Sequence, residues 1–333
     1  MPEGFTAILL AVLALAVIFD YINGFHDTAN AIATSVSTRA LKPQYAIVMS
    51  AVANFVGALT GTEVARTVGA GLLQPHAEGQ VVVAAALVGA IVWNLLTWRL
   101  GIPSSSSHAL IGGLLGASAA AAGFGAWQME GIVTKVLLPL VSSPIVGFLL
   151  GLTLMVVIFN LFRRARPHVM NDRFRRLQVV SAAYMAFSHG SNDAQKTMGI
   201  MTLALVTAGV IPEFKVPLWV ILAAASAISL GTAAGGWRII KTMGTRVVKL
   251  DPVHGFAAET SAATIIFVAS HFGMPVSTTH VISSAIMGTG ASDRFNAVRW
   301  GVARNIGVAW VLTLPAAGLT AAAAYLLLSP ILG

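Results

Sequence analysis

The chain of 333 residues contains no cysteine, which excludes disulfide bonds and thiolate metal sites. Charged residues make up only 10% of it, whereas an ordinary soluble domain has about a quarter. Hydrophobic residues make up 56%. The apolar runs approach the roughly 20 residues that a helix needs to cross a bilayer, and none shows the alternation of a membrane barrel strand. The composition therefore predicts an all-α polytopic membrane protein.

The net charge of +8 does not indicate a nucleic-acid partner, because the basic residues cluster in the loops between apolar runs. This distribution is typical of cytoplasmic loops in a membrane protein, so we expect the lipid bilayer as partner and no nucleic acid. The densest cluster holds six arginines within residues 163–176. We interpret this segment as a basic cytoplasmic linker between two membrane units, residues 1–162 and 177–333.

Two pairs of motifs indicate that these units are copies of each other. Gly24 and Asp27 recur as Gly190 and Asp193 at one constant separation. A proline followed by hydroxyl residues and a histidine also occurs twice, at Pro103 to His108 and at Pro275 to His280. The order of the motifs is the same in both halves, so the chain contains two repeats of one unit.

Loops at corresponding positions of the two copies carry different charge. Residues 62–80, which we predict to be a loop, hold a single basic residue, Arg66, whereas the corresponding segment holds Arg238, Lys241, Arg246 and Lys249. Because basic loops stay in the cytoplasm, the two copies are predicted to have inverted topology. Each copy then crosses the inner (plasma) membrane an odd number of times, and both termini lie outside the cytoplasm.

The first apolar run, residues 5–36, contains a polar stretch from Asp20 to Asn30. As one helix the run would measure roughly 48 Å, more than the roughly 30 Å of the hydrocarbon. We therefore predict two half-helices that meet in the membrane at Asn23–Gly24, with Asp20 anchoring the break. The same break is predicted in residues 178–208 of the second copy.

Each proline and hydroxyl motif is predicted to form the tip of a helical hairpin. Proline suits the first turn of a helix, hydroxyls cap its free N–H groups, and the positive end of the helix dipole favours an anion. Two such tips would surround a tetrahedral oxyanion with donors. The candidate anion-binding residues are Ser104, Ser105, Ser106, Ser107, Ser277, Thr278, Thr279, Gln195 and Lys196. Three histidines, His26, His108 and His280, are candidates either for structural hydrogen bonds or for a proton relay.

Asp27 and Asp193 would repel an anion, so their presence implies cations. Asn30 in the first copy corresponds to Lys196 in the second, which predicts one exchangeable cation or proton beside Asp27 and a tethered charge beside Asp193. A purely structural Asp193–Lys196 pair is the alternative. The candidates for cation or proton coupling are Asp27, Asn30, Asn23, Asn192, Asp193 and Glu259, and a sodium ion would be held by Asp27, Asn30 and Asp193.

Together these motifs resemble the inorganic phosphate transporter (PiT) family, in its bacterial low-affinity branch. The resemblance rests on residues 23–33, 101–112, 189–196, 255–259 and 275–280 and covers nearly the whole chain. It implies a symporter, not an enzyme, that imports inorganic phosphate by alternating access with two inverted repeats. It also implies a homodimer, with protons or sodium as the coupling ion and no other cofactor.

Two residues, His26 and Lys196, depart from the sodium-coupled members of that family. The departures favour the proton-coupled branch, which is similar to carriers that take phosphate as a metal-phosphate complex. Two alternatives stay open. Some relatives transport sulfate, another tetrahedral oxyanion, and an oxyanion channel would show flux without coupling.

Overall fold

The computed structural model describes residues 6–74 and 79–332, and these form helices without any strand. The helices are α1 (Ala7–Ser37), α2 (Pro43–Ala58), α3 (Glu63–Ala70), α4 (Gln80–Leu100), α5 (Ser106–Ala122), α6 (Met129–Ile132), α7 (Leu138–Leu161), α8 (Pro167–Thr207), α9 (Leu218–Ala234), α10 (Trp237–Lys241), α11 (Pro252–His271), α12 (Thr278–Asp293) and α13 (Trp300–Leu332). One π-helical turn joins α6 to α7, and another, Thr242–Arg246, extends α10. Helix α3 lies in the segment 62–80 that we predicted as a loop, whose residues 75–78 lie outside the described part.

Five helices in the described residues are long and apolar enough to cross a membrane, and two bent helix pairs raise the number to seven if each pair is one span. Side chains such as Leu149, Val311 and Leu319 on these helices are exposed, as expected of surfaces that face lipid. The prediction of an all-α polytopic membrane protein is therefore confirmed.

The predicted break at Asn23–Gly24 is wrong. Helix α1 runs without interruption through residues 20–30, and α8 runs through the equivalent stretch of the second copy. Gly24 serves packing, because a Cβ there would collide with the carbonyl oxygen of Ile228 on α9. A Cβ at Gly190 would likewise collide with the carbonyl oxygen of Asn54 on α2. Both glycines let two backbones approach closely, a common device in membrane helix packing.

The bends lie in the next span of each copy. The axes of α2 and α3 differ by 73°, and those of α9 and α10, with its π turn, by 62°. At the second bend Gly235 has a φ of 75°, a left-handed conformation that suits glycine. Broken helices are thus present, but they flank the polar segments instead of containing them.

Helices of each copy pack against helices of the other copy. The first span of each copy packs on the second span of the other, α1 on α9 and α8 on α2. Later helices follow the same rule, since a Cβ at Gly116 on α5 would collide with Gly318 on α13, and one at Gly288 on α12 with Phe148 on α7. The two copies are therefore intertwined in space. The division into residues 1–162 and 177–333, with a linker at 163–176, remains a prediction from the repeats in the sequence. All six arginines of that segment are exposed, and α8 begins inside it.

Two hairpins, α4–α5 and α11–α12, turn at Gly101 and Gly273, which have φ values of 67° and 66°. Helices α5 and α12 start at buried hydroxyls. Ser105 accepts the N–H of His108 and Ser277 accepts the N–H of His280, both at 3.2 Å. The two Ser/Thr-tipped hairpins are therefore confirmed. We call residues 104–107 the first tip and residues 276–279 the second tip.

Candidate functional site

The two tips meet α1 and α8 in the interior of the bundle. Asn30 on α1 donates its amide N–H groups to the hydroxyls of Thr278, at 3.2 Å, and Thr279, at 2.9 Å. Lys196, at the equivalent position of α8, donates from Nζ to Ser107 Oγ and to the carbonyl oxygen of Val276, the latter at 3.2 Å. Lys196 therefore bridges both tips, and the structure brings together residues that lie 80 or more positions apart in sequence.

Lys196 is also paired with Asp193. Its Nζ donates to Asp193 Oδ1, while Asp193 Oδ2 accepts from Thr278 Oγ1 and lies near His189 Nε2, both at 3.3 Å. The Lys196 and Asp193 side chains are only 2% and 0% exposed. A buried ion pair offsets its desolvation only when further hydrogen bonds satisfy both groups, and here they do. Lys196 is thus paired with a buried carboxylate and contacts both tips at the centre of the site.

Asp27 has a different neighbour. His26 Nδ1 lies 2.6 Å from Asp27 Oδ1, and its Nε2 lies 3.0 Å from Thr97 Oγ1 on α4. Ser104 donates to the same Thr97 hydroxyl at 2.9 Å. Ser104 therefore supports the His26–Asp27 pair and does not belong to the group of tip hydroxyls that surround Lys196.

Three buried groups could hold a cation. One atom each of Asp27, His189 and Asp193 lie within 4.8 Å of one another. The sodium set predicted from sequence was Asp27, Asn30 and Asp193, and the structure brings the two carboxylates together as predicted. Asn30 instead donates its amide N–H groups to the second tip. The third group beside the two carboxylates is the imidazole of His189.

Gln195 does not reach either tip, which corrects its assignment as an anion ligand. Its Oε1 accepts the N–H of Val64, at 2.8 Å, at the start of α3, and its Nε2 donates to the Ser191 carbonyl at 2.6 Å. Asn192 supports the second hairpin, because its Nδ2 donates to Ser270 Oγ at 2.8 Å and to the Met274 carbonyl at 3.2 Å. Gln195 and Asn192 therefore contact α3 and the second hairpin, whereas Asp193 faces the site.

Glu259 on α11 lies in a separate buried network. Its carboxyl oxygens accept from Thr34 Oγ1 at 2.5 Å, from Gln178 Nε2 at 3.1 Å and from Ser181 Oγ. The network joins α1, α8 and α11, and all of its members are buried. Glu259 is thus satisfied by neutral donors and has no contact with the tip hydroxyls.

The tip histidines meet each other. The rings of His108 and His280 have centroids 4.8 Å apart, and His280 stacks on Trp310 at 4.1 Å. Both ring nitrogens of His280 lack a hydrogen-bond partner among the described residues. His26 contacts Asp27, Thr97 and Ser104 instead, so the three histidines do not form one continuous relay in the described part of the chain.

Sequence reasoning missed Asp20, which it treated only as an anchor for a break. Asp20 is completely buried in α1, and neither carboxyl oxygen has a hydrogen-bond partner among the described residues. The spacing of residues 20, 23, 27 and 30 places all four on one face of an uninterrupted helix. That pattern was visible in the sequence, but the expected break concealed it.

Comparisons with known proteins agree with this geometry. A family model described as "Phosphate transporter family" matches residues 23–321. The "Probable low-affinity inorganic phosphate transporter" of Bacillus subtilis (strain 168) is 51% identical over 327 residues, which cover 97% of each chain. The protein of the same name from Rhizobium meliloti (strain 1021) is 50% identical over 320 residues, covering 96% of each.

A solved structure named "The sodium-dependent phosphate transporter" is also similar. It superposes with a TM-score of 0.85, and the match covers 98% of this chain and 100% of that one at 25% identity. The agreement over nearly the full length supports the arrangement of helices and hairpins described above. By the family match and the identity of these relatives, the chain belongs to the phosphate transporter family, which consists of membrane transporters and not of enzymes.

Proposed function

We propose that the protein imports inorganic phosphate as a secondary active symporter, by alternating access at the cluster formed by both tips, Asp27, Asp193 and Lys196. One observation carries the proposal: the hydroxyls at two helix N-termini converge with the side chain of Lys196 in a buried site. The family and the names of its relatives support phosphate as the substrate.

The anion would be held by the tips. Helix N-termini present free N–H groups and a partial positive charge to an oxyanion. Ser106 Oγ has no partner among the described residues and is free to donate. Ser107 and Thr278 contact Lys196 and Asp193 directly. A phosphate that enters the site would thus replace these contacts between protein side chains with hydrogen bonds to its own oxygens. Sulfate, which has the same shape, is the second candidate substrate.

Coupling at the cluster of the two tips would use one exchangeable cation. Lys196 occupies the position in the second copy that Asn30 occupies in the first, and it forms an ion pair with Asp193. Asp27 is paired with His26 and has no ammonium of its own among the described residues, so it is the carboxylate that would gain and lose a proton or a sodium ion in each cycle. The name of the similar solved structure supports sodium, whereas the ammonium of Lys196 supports a reduced number of cations.

Phosphate would arrive either as the free anion or as a metal-phosphate complex. The group of Asp27, His189 and Asp193 favours the complex, because an imidazole nitrogen with two carboxylates suits a divalent transition ion better than sodium. We further propose that the protein is a homodimer in the inner membrane, with both termini outside the cytoplasm. The distribution of basic residues among the loops supports this orientation.

Uptake of radiolabelled phosphate and sulfate into proteoliposomes tests the proposal. The vesicles receive an imposed proton gradient, a sodium gradient or neither, each with and without Mg²⁺ and Zn²⁺. We expect phosphate to accumulate above its external concentration only when a gradient is present. Equilibration without accumulation under every gradient would identify a channel, and preferential uptake of sulfate would replace phosphate as the substrate.

A further inference from the structure

Four carboxyl groups are buried in the bundle around the site: Asp20, Asp27, Asp193 and Glu259. Three of them have partners. Asp27 contacts His26, Asp193 contacts Lys196, and Glu259 accepts hydrogen bonds from three neutral groups. Asp20 is the exception: neither carboxyl oxygen makes a hydrogen bond of good geometry among residues 6–74 and 79–332, and its polar neighbours on α1 and α8, Asn23 and Thr197, are neutral. An ionised carboxylate without partners is prohibitively costly in a low-dielectric interior, so Asp20 must be neutralised by something it binds.

Two other polar atoms without partners lie beside Asp20. Its carboxyl neighbours the side chains of Asn23, one turn along α1, and of Thr197 on α8. Asn23 Oδ1 and Thr197 Oγ1 are buried, and neither has a hydrogen-bond partner among the described residues. Four oxygen atoms with unused hydrogen-bonding capacity therefore share one buried position, about two helical turns, or roughly 10 Å, from Asp27 along α1.

A sodium ion needs more oxygen atoms than this position offers. Membrane carriers complete such sites with carbonyl oxygens from unwound helix segments. Helices α1 and α8 are continuous here, so their carbonyl oxygens are engaged in the hydrogen bonds of the helix. A proton needs only one carboxyl oxygen to bind and one acceptor to face, and Asn23 Oδ1 and Thr197 Oγ1 are both acceptors.

We propose that Asp20, with Asn23 and Thr197, forms a proton-binding site of the transport cycle, separate from the cation position at Asp27. This inference rests on the proposed function. An O–H bond forms at the Asp20 carboxyl when a proton arrives from one side of the membrane, and the same bond breaks when the proton leaves to the other side. We assign the neutral, protonated form to this carboxyl, because an ionised one would be buried without a compensating partner among the described residues.

The surrounding charges explain how such a proton would be coupled to the substrate site. The charged groups nearest Asp20 are Asp193 and Lys196, both on α8. Helix α9, which also packs on α1, has no titratable residue, and α4 has only Arg99 near its end. Loss of the proton leaves a carboxylate that attracts Lys196, the same side chain that holds Ser107 of the first tip. Deprotonation of Asp20 therefore weakens the contact of Lys196 with the first tip.

The test compares wild-type protein with Asp20→Asn, whose amide imitates the neutral acid, and with Asp20→Glu as the conservative variant. Asp172→Asn, the same change at an exposed carboxyl on α8, is the matched control. Infrared difference spectroscopy of the purified proteins reports the carbonyl stretch of a protonated carboxylic acid. We expect this band to lose intensity in Asp20→Asn and to be unchanged in Asp172→Asn. An unchanged band in Asp20→Asn overturns the proposal, whether or not the protein transports phosphate.

Transport supplies the second measurement. In proteoliposomes, Asp20→Asn should exchange internal for external phosphate at a rate within about threefold of wild type, yet lose at least tenfold of the accumulation driven by a proton gradient. Asp20→Glu should recover part of it. Wild-type accumulation in Asp20→Asn, loss of exchange together with accumulation, or loss of a sodium-driven component alone would each overturn the proposal. Absence of all phosphate transport in the wild type would instead contradict the proposed function, while the infrared band would still decide the protonation of Asp20.

Discussion

Helices α1 and α8 present the same constellation to the hairpin tips, but with different charge. Asp27 and Asn30 on α1 have the spacing of Asp193 and Lys196 on α8, and both pairs face hydroxyls at a helix start. The carboxylate of Asp27 is paired with His26, whereas the carboxylate of Asp193 is paired with the ammonium of Lys196. The repeat thus gives the two halves the same geometry, and a single side chain, Asn30 or Lys196, gives them different charge.

The surroundings of the two hairpins also differ. Thr67 donates to the Gly273 carbonyl at 2.7 Å, and Thr242 donates to the Gly101 carbonyl at 2.9 Å, so each hairpin turn is held by the other copy. Beside the second hairpin lies a cavity of about 130 Å³ that is lined by polar side chains, among them Ser191, Gln195 and Ser270, and by Phe187 and Phe267. At the equivalent place beside the first hairpin, Phe25 packs against Trp98 with centroids 5.3 Å apart, under the guanidinium of Arg238. The second hairpin thus borders a cavity, whereas aromatic rings fill the corresponding position beside the first hairpin.

The largest effect is expected from Asp27→Asn, which removes the exchangeable carboxylate but keeps its shape. Gradient-driven phosphate uptake should fall to the level of empty vesicles, while the protein elutes as a folded species in size-exclusion chromatography. Asp27→Glu is the control for charge at the same position and should retain a part of the uptake. Accumulation at the wild-type level in Asp27→Asn would contradict the assignment of the exchangeable cation to α1.

Lys196→Met should mainly affect stability, because it leaves Asp193 as an uncompensated buried charge. Breaking a buried pair by removing one partner costs about 3–5 kcal/mol. Thermal unfolding in detergent should show this loss, and the double variant Lys196→Met with Asp193→Asn should recover most of it. Lys215→Met, at an exposed lysine, serves as control. A Lys196→Met protein as stable as wild type would show that His189 and Thr278 alone can hold Asp193.

The hydroxyls of the two tips should contribute similarly. Ser106→Ala and Thr278→Ala each remove a donor to the anion, at about 1.5–3 kcal/mol per hydrogen bond to a charged group, or roughly tenfold or more in apparent affinity. The apparent affinity for phosphate in initial-rate uptake is the measurement. Ser118→Ala, on the same helix α5 as Ser106, is the control because Ser118 bonds only to a backbone carbonyl of its own helix. Unchanged affinity in the double variant would remove the tips from the anion site.

The smallest effect concerns access. Because the chain has no cysteine, single cysteines can be placed at Ser191, which lines the cavity beside the second hairpin, and at its counterpart Phe25, beside Trp98. A membrane-impermeant thiol reagent should modify Ser191→Cys from one side several-fold faster than it modifies Phe25→Cys from the other. Equal rates would show that the contact between Phe25 and Trp98 does not restrict access beside the first hairpin.

Composition was sufficient to predict the membrane class, and the repeated motifs predicted the two hairpins and most of the residues that meet between them. Asp27, Asp193, the tips and Lys196 could be found because a polar residue in an apolar run is costly and a recurring one is a strong signal. The break at Asn23–Gly24 was wrong for a physical reason. A glycine in a helix looks the same in sequence whether it bends the chain or admits a neighbour, and only the position of Ile228 on a distant helix distinguishes the two.

The sequence by itself therefore determined the class of the protein, its internal repeat and the chemical types gathered at the site, since hydropathy and recurrence are properties of the chain. Only the tertiary structure decided that α1 and α8 stay continuous, that Gln195 caps α3, that Ser104 supports His26, and that Asp20 lies without a partner among the described residues, beside Asn23 and Thr197. These outcomes depend on which residue of the other copy faces each side chain. The exchange of packing partners between the copies sets those contacts.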